Sequence, residues 1–151
     1  MCLSRKTNGT MKWKINNKHP RFILLDDDLL ALMLAEKIIQ KYYRRSQIMT
    51  FSTPKEAIEY VEAKDSIGND RDTVFLTDLH MPEMDGFEVL DRMENTVKTK
   101  GRRLHIFVLS AATPPDDIRR VLSYNYVIGF LDKPFSDEKM EHIISCIQYP
   151  L

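Results

Sequence analysis

Short apolar runs alternate with longer amphipathic stretches, and this alternation limits the folds open to the chain more than any other feature. Phe22 to Leu25, Gln47 to Phe51, Val74 to Thr77, Ile106 to Leu109 and Val127 to Leu131 read as strands of four or five residues. Between them lie helical patterns. Leu29 to Tyr43 places Ala31, Leu34, Ala35, Ile38 and Tyr42 at helical spacing. Thr53-Pro54-Lys55-Glu56 has the form of a helix start, with Thr as N-cap and Glu three residues on, and this helix runs to about Ala63. Further helices are predicted from Phe87 to about Val97, from Pro114 or Pro115 to about Tyr124, and from a Ser136 cap to near Gln148. Lys64 to Asp72 and Thr99 to Arg103 read as loops. Five strands alternating with five helices call for right-handed crossovers and a parallel sheet covered on both faces. Strands such as Ile106-Phe107-Val108-Leu109 suit two-sided burial.

Composition narrows the function. At 151 residues the chain has room for one ordinary domain, and 43% hydrophobic with 29% charged residues is a globular balance. No apolar run is long enough to span a bilayer, and no secretory signal is visible, so a cytoplasmic protein is expected. The net charge of zero hides an asymmetry. Residues 1–20 carry Arg5, Lys6, Lys12, Lys14 and Lys18 and no acid, so the rest of the chain has an excess of five acids. An acidic body argues against non-specific nucleic-acid binding, and residues 1–20 read as a basic, flexible, frayed extension. The two cysteines, Cys2 and Cys146, sit at opposite ends with neither metal-ligand spacing nor a disulfide pattern.

The chemistry lies where the strands end. The first runs into Asp26-Asp27-Asp28, the third into Asp78, the fourth into Ser110 and the fifth into Asp132-Lys133-Pro134. Ligands of open parallel sheets bind outside the carboxyl ends of the strands. If the first and third strands are neighbours, three or four carboxylates converge. Converging carboxylates repel unless a cation intervenes, and an all-oxygen set suits a hard ion, Mg²⁺ above all. Lys133 and Ser110 would complete a clamp for a phosphoryl group, and Asp78 could act as a nucleophile forming an acyl phosphate. Taken singly, each residue has a plainer reading. Asp28 is a natural helix N-cap, Ser110 a loop hydroxyl, Lys133 a surface charge and His80 a loop residue. Their joint placement on successive strand ends is what carries the argument.

With these residues in view, the sequence resembles the receiver domain of two-component response regulators. Leu24 to Asp28 resembles the family's acidic pair after the first strand. Thr77-Asp78-Leu79-His80-Met81-Pro82-Glu83-Met84-Asp85-Gly86 resembles its phosphoacceptor segment. Leu109-Ser110-Ala111 and Phe130-Leu131-Asp132-Lys133-Pro134-Phe135 follow in the family's order. The match covers about residues 21–149 and implies a flavodoxin-like, doubly wound (βα)5 fold with strand order 2-1-3-4-5. It implies that Asp78 accepts phosphate from a sensor histidine kinase or histidine phosphotransfer protein. Asp26, Asp27, Asp78 and the His80 backbone carbonyl would hold Mg²⁺. Ser110 and Lys133 would bind the phosphoryl oxygens, and Ser110 and Phe130 would move together as the switch. Lys133-Pro134 is expected to be a cis peptide. His80 and Ala112 would border the path of the water that hydrolyses the acyl phosphate and so set the lifetime of the signal.

The expectation is a stand-alone receiver with no output domain, a phosphorylation-driven switch of protein–protein interactions and not an enzyme. The surface of the fourth helix, fifth strand and fifth helix, with Tyr124, Tyr126, Ile128 and Phe130 nearby, would meet an unknown downstream target or a second copy. One alternative is a receiver that binds partners without phosphorylation. Another is a phosphatase of the haloacid dehalogenase type with Asp26 as nucleophile, since Asp26-Asp27-Asp28 contains an Asp-x-Asp. The phosphorylated residue, Asp78 or Asp26, separates the enzyme from the switch.

Overall fold

The computed structural model describes residues 19–44, 46–63, 71–100 and 103–148. The basic extension therefore lies outside the described residues but for its last two positions. The elements follow the expected alternation: β1 Arg21–Leu25, α1 Leu29–Tyr42, β2 Ile48–Phe51, α2 Pro54–Glu62, β3 Thr73–Thr77, α3 Gly86–Lys100, β4 Leu104–Ser110, α4 Pro115–Ser123, β5 Val127–Asp132 and α5 Asp137–Gln148. The five strands form one parallel sheet in the order β2-β1-β3-β4-β5. Among the described residues no helix is long and apolar enough to cross a membrane.

Side-chain alternation along each strand builds two cores. Ile23 and Leu25 of β1, Phe75 of β3, and Ile106 and Val108 of β4 face one side, where α2 and α3 cover them. Phe22 and Leu24, Val74 and Leu76, and Phe107 and Leu109 face the other, under α1 and α5. Phe22, Phe75 and Phe107 are wholly buried, and burying a ring of that size contributes roughly 1.5–3 kcal/mol. Two-sided burial explains why these strands read as near-continuous apolar runs.

The pairing of β5 with β4 is irregular. Ile106 pairs with Val127 but Phe107 pairs with Gly129, so β5 carries one extra residue, Ile128, at that point. The extra residue inverts the side-chain alternation beyond it. Val127 and Phe130 both pack on the α2–α3 side, Ile128 and Leu131 on the α1–α5 side. Four residues apart in an unbroken strand, Val127 and Leu131 would share a face.

Some boundaries differ from the sequence reading. α3 runs to Lys100, past the expected end near Val97, because Thr96 is buried in the core and the Thr99 hydroxyl donates back to the Asn95 carbonyl at 3.0 Å. Thr53 occupies the N-cap of α2, but its side chain makes no capping hydrogen bond; Pro54 in the first turn sets the start instead. Cys146 is buried and is not a free thiol, although the sequence shows no disulfide pattern; Cys2 lies outside the described residues.

Thr73, at the start of β3, is wholly buried, and its hydroxyl has no hydrogen-bond partner among the described residues. Replacing it with the equal-sized Val removes a desolvated donor. Thr73→Val is expected to raise unfolding stability by about 1 kcal/mol, read as a higher denaturant midpoint at unchanged slope.

Candidate functional site

The sheet order makes β1 and β3 neighbours, with Leu25 beside Thr77. Their next residues, Asp26 and Asp78, therefore leave the sheet side by side. The Asp26 N–H still donates to Phe51 O at 3.1 Å, and the Asp78 N–H to Leu25 O at 3.0 Å, so both backbones are anchored where the strands end. On the far side Ser110 pairs with Asp132, and the Lys133 N–H donates to Ser110 O at 3.0 Å. The Lys133–Pro134 peptide is cis, as the resemblance implied.

The side chains converge on Asp78, which is 5% exposed. Its Oδ1 accepts from the Leu79 N–H at 2.7 Å, the Ser110 hydroxyl at 2.8 Å and the His80 N–H at 3.3 Å. Its Oδ2 accepts from Lys133 Nζ at 2.9 Å. The same ammonium lies 2.6 Å from Asp26 Oδ2, while Asp26 Oδ1 accepts the Asp28 N–H at 2.9 Å. Asp28 itself turns away. Its carboxylate caps α1, accepting from the N–H groups of Leu30 at 2.9 Å and Ala31 at 3.3 Å, which is its plainer reading. Asp27 is exposed, yet Asp26, Asp27 and Asp78 each offer an oxygen within 4.8 Å of the others.

The electrostatics differ between the two buried acids. Burial raises the pKa of Asp26, the nearby Asp78 charge adds to this, and the bonds from Lys133 and the Asp28 N–H offset only part of it. Burial also works against charge on Asp78, but Lys133, the Ser110 hydroxyl and the His80 N–H outweigh it, so its pKa is lowered. For Lys133, burial disfavours the charge, and the two carboxylates more than restore it. Asp78 is thus an ionised carboxylate at neutral pH, with its cation in place.

Three carboxylates against one ammonium leave the cluster anionic. In a Mg²⁺ octahedron with bonds near 2.1 Å, ligand oxygens lie about 3–4.2 Å apart. The all-oxygen donor set fits such an ion, and oxygens within 4.8 Å of one another need close in only slightly to reach that spacing.

The remaining residues take up distinct places. The His80 side chain is exposed, and its N–H donates to Asp78 Oδ1. Ala112, after β4, is exposed and holds a left-handed backbone with φ of 47°, a conformation that costs a non-glycine residue about 1 kcal/mol. Phe130 lies beside Val108 in the sheet and is half-buried against the α2–α3-side core, against which Tyr124 and Tyr126 also pack. The two tyrosines that the sequence places beside this face make inward contacts as well. Tyr124 donates to Asp91 at 2.7 Å, Tyr126 donates to the Leu90 carbonyl, and the Arg120 guanidinium lies 3.8 Å over the Phe87 ring. These contacts tie α4 and β5 to α3. The Thr77 hydroxyl, which donates to the Asp78 carbonyl at 3.0 Å, went unread.

Comparison with known proteins agrees with this geometry. A family model described as the response regulator receiver domain matches residues 22–145. The "Probable methanogenesis regulatory protein FilR2" of Methanothrix harundinacea is 28% identical over 126 residues, covering 83% of this chain and 79% of that protein. Chemotaxis protein CheV2 of Helicobacter pylori is 32% identical over 104 residues, 67% of this chain but 30% of that longer protein. Among solved structures, a response regulator receiver protein from Dyadobacter fermentans superposes with a TM-score of 0.74 at 25% identity, covering 86% of this chain and 98% of that one. A two-component response regulator from Cytophaga hutchinsonii gives 0.77 at 20% identity over 87% and 98%, a likeness of fold.

Gly86 closes the turn that carries the site. A Cβ there would sit 2.5 Å from Asp78 O and 2.6 Å from Leu79 Cα, both backbone atoms. Gly86→Ala is expected to cost about 2–3 kcal/mol of stability. Gly129→Ala, whose Cβ would meet only the Phe107 ring at 3.5 Å, is expected to stay within about 0.5 kcal/mol. Chemical denaturation of the two variants checks this contrast.

Proposed function

The chain belongs to the response regulator receiver domain family, and from that premise we propose that Asp78 is its phosphoacceptor. Receiver domains are signalling switches activated by phosphorylation, in general not enzymes, and they interact with histidine kinases or phosphotransfer proteins. The observation that carries the assignment is the convergence of Asp26, Lys133 and Ser110 on one buried, ionised carboxylate.

The local chemistry follows from these contacts. An ionised Asp78 presents a nucleophile to a phosphoryl group without prior loss of a proton. Lys133 already faces it and can follow the charge onto the phosphoryl oxygens. Ser110 can exchange its bond to Asp78 Oδ1 for one to a phosphoryl oxygen. That shift would draw the loop after β4 inward, and Phe130, half-buried beside β4, would move with it. Asp26, Asp27 and Asp78, together with the His80 carbonyl, would hold Mg²⁺, which would supply charge neutralisation at the transferring phosphoryl group.

Partners and place complete the reading. Leu29, Leu30, Met33 and Leu34 are exposed on α1, directly after the site's acidic turn, and this apolar surface suits a docked phosphodonor, a histidine kinase or phosphotransfer protein. The face of α4, β5 and α5 is the output surface for a downstream protein or a second copy of the chain. The location is the cytoplasm, where such donors present their phosphohistidine. The phosphatase alternative would require Asp26 as nucleophile, but Ser110 and the Leu79 and His80 amides all converge on Asp78 instead.

Incubation with Mg²⁺ and acetyl phosphate, followed by intact-mass measurement, tests the assignment. The wild type is expected to gain one phosphoryl group and Asp78→Asn none. Lys133→Ala and Ser110→Ala are expected to react at least about tenfold more slowly. A gain that survives Asp78→Asn and is lost in Asp26→Asn would return the phosphatase reading. Mg²⁺ alone is expected to raise the melting temperature of the wild type, and Asp27→Asn to weaken that effect about tenfold in Mg²⁺ concentration. Because the His80 side chain is exposed two positions after the acceptor, His80→Asn is expected to change the rate of phosphate loss; an unaltered decay would remove it from the hydrolytic path.

A further inference from the structure

Building on Asp78 as the acceptor, we propose that Thr77 is a positioning residue for phosphoryl transfer: its hydroxyl fixes the Asp78–Leu79 peptide, and that peptide holds the acceptor carboxylate. Thr77 ends β3 and is wholly buried. Its Oγ1 donates to Asp78 O at 3.0 Å. The same peptide unit carries the Leu79 N–H, which donates to Asp78 Oδ1 at 2.7 Å, shorter than the bonds from Ser110 at 2.8 Å and His80 at 3.3 Å. A peptide unit is a rigid plane. Holding its oxygen therefore sets the direction of its N–H, and through that N–H the plane of the carboxylate.

The surroundings leave this job to the hydroxyl. Asp78 follows the last ladder pair of β3 with β1, that of Leu25 with Thr77, so its carbonyl lies beyond the sheet. Gly86 packs against that carbonyl so closely that a single added carbon would overlap it. With Oδ1 pinned by three donors, Oδ2 is the oxygen left to attack, and among the described residues it meets the Lys133 ammonium. In the transfer from acetyl phosphate, the P–O bond to the acetyl group breaks and releases acetate, while a new P–O bond forms to Asp78 Oδ2. A carboxylate free to rotate would offer either oxygen, and the attack geometry would be lost for part of the time.

A purely structural threonine would show itself differently, by loosening the whole molecule. Thr77→Val keeps the shape without the hydroxyl, and Thr77→Ser keeps the hydroxyl. Wild type, both variants and Asp78→Asn are to be compared in Mg²⁺ and acetyl phosphate by intact mass, together with native-state amide hydrogen exchange. Thr77→Val is expected to be phosphorylated about tenfold more slowly at an unchanged half-saturating acetyl phosphate concentration. Its Leu79 amide is expected to exchange faster while the strands keep their protection, and Thr77→Ser is expected to restore both. Wild-type rates in Thr77→Val, a Thr77→Ser variant as slow as Thr77→Val, or a uniform rise in exchange would each overturn the proposal. Should Thr77→Val fail to fold, Thr77→Ala takes its place in the same comparison. If the wild type takes no phosphoryl group, or Asp78→Asn takes one, the acceptor assignment falls and this proposal with it. If only the Thr77 contrasts fail, the acceptor assignment stands.

Discussion

Asp26 and Asp78 share one ammonium, with Lys133 Nζ at 2.6 Å from the first and 2.9 Å from the second. All three side chains are largely out of water, where an unpaired charge costs several kcal/mol. The fold must therefore bring residues 26, 78 and 133 together or not form its site at all. It does so with backbone. Parallel pairing of β1 with β3 sets the two acids side by side, and the Lys133 N–H on Ser110 O sets the height of the lysine. An arrangement with neighbouring acids and a single shared cation is poised. It holds together at rest, yet it leaves negative charge that a divalent ion can answer and a cation that can follow an incoming anion.

The core serves this constraint. A sheet buried on both faces has little freedom to twist or shear locally, so strand ends on one edge keep their spacing. The movable parts are the loops leaving that edge. The segment after β4 holds Ala112 in a conformation that an alanine adopts at a cost. On the neighbouring elements, Tyr124, Tyr126 and Arg120 fasten α4 and β5 to α3. Rigid sheet, strained loop and fastened helix together give a body in which a change at Ser110 has a limited set of outlets.

Much of this was legible in the sequence because the decisive residues are punctuation. A polar or charged residue closing a short, largely apolar run marks both the strand's end and the sheet edge, which is why Asp26, Asp78, Ser110 and Lys133 are legible in the sequence. Helix boundaries were less legible. Thr99 and Lys100 look like loop residues until a hydroxyl bond back along α3 shows otherwise, and Thr53 has the form of a cap without the bond. Thr77 was hidden for a different reason. A threonine is what a buried strand favours anyway, and its contact with the next residue's carbonyl depends on a side-chain rotamer. The tyrosine contacts to Leu90 and Asp91 span more than thirty residues and follow only from how the turn between α4 and β5 lies against α3.

The extra residue in β5 carries a consequence of its own. Because it reverses the facing of everything after Gly129, Phe130 and the sheet's last buried leucine, Leu131, owe their sides to how many residues the strand contains. Individual side chains there can drift within their apolar character, but the count cannot. Losing or gaining a single codon in this stretch would leave the composition almost untouched while turning Phe130 from the α2–α3 core toward α1 and α5 and Leu131 the other way, so that two apolar layers would each receive a side chain of the wrong shape.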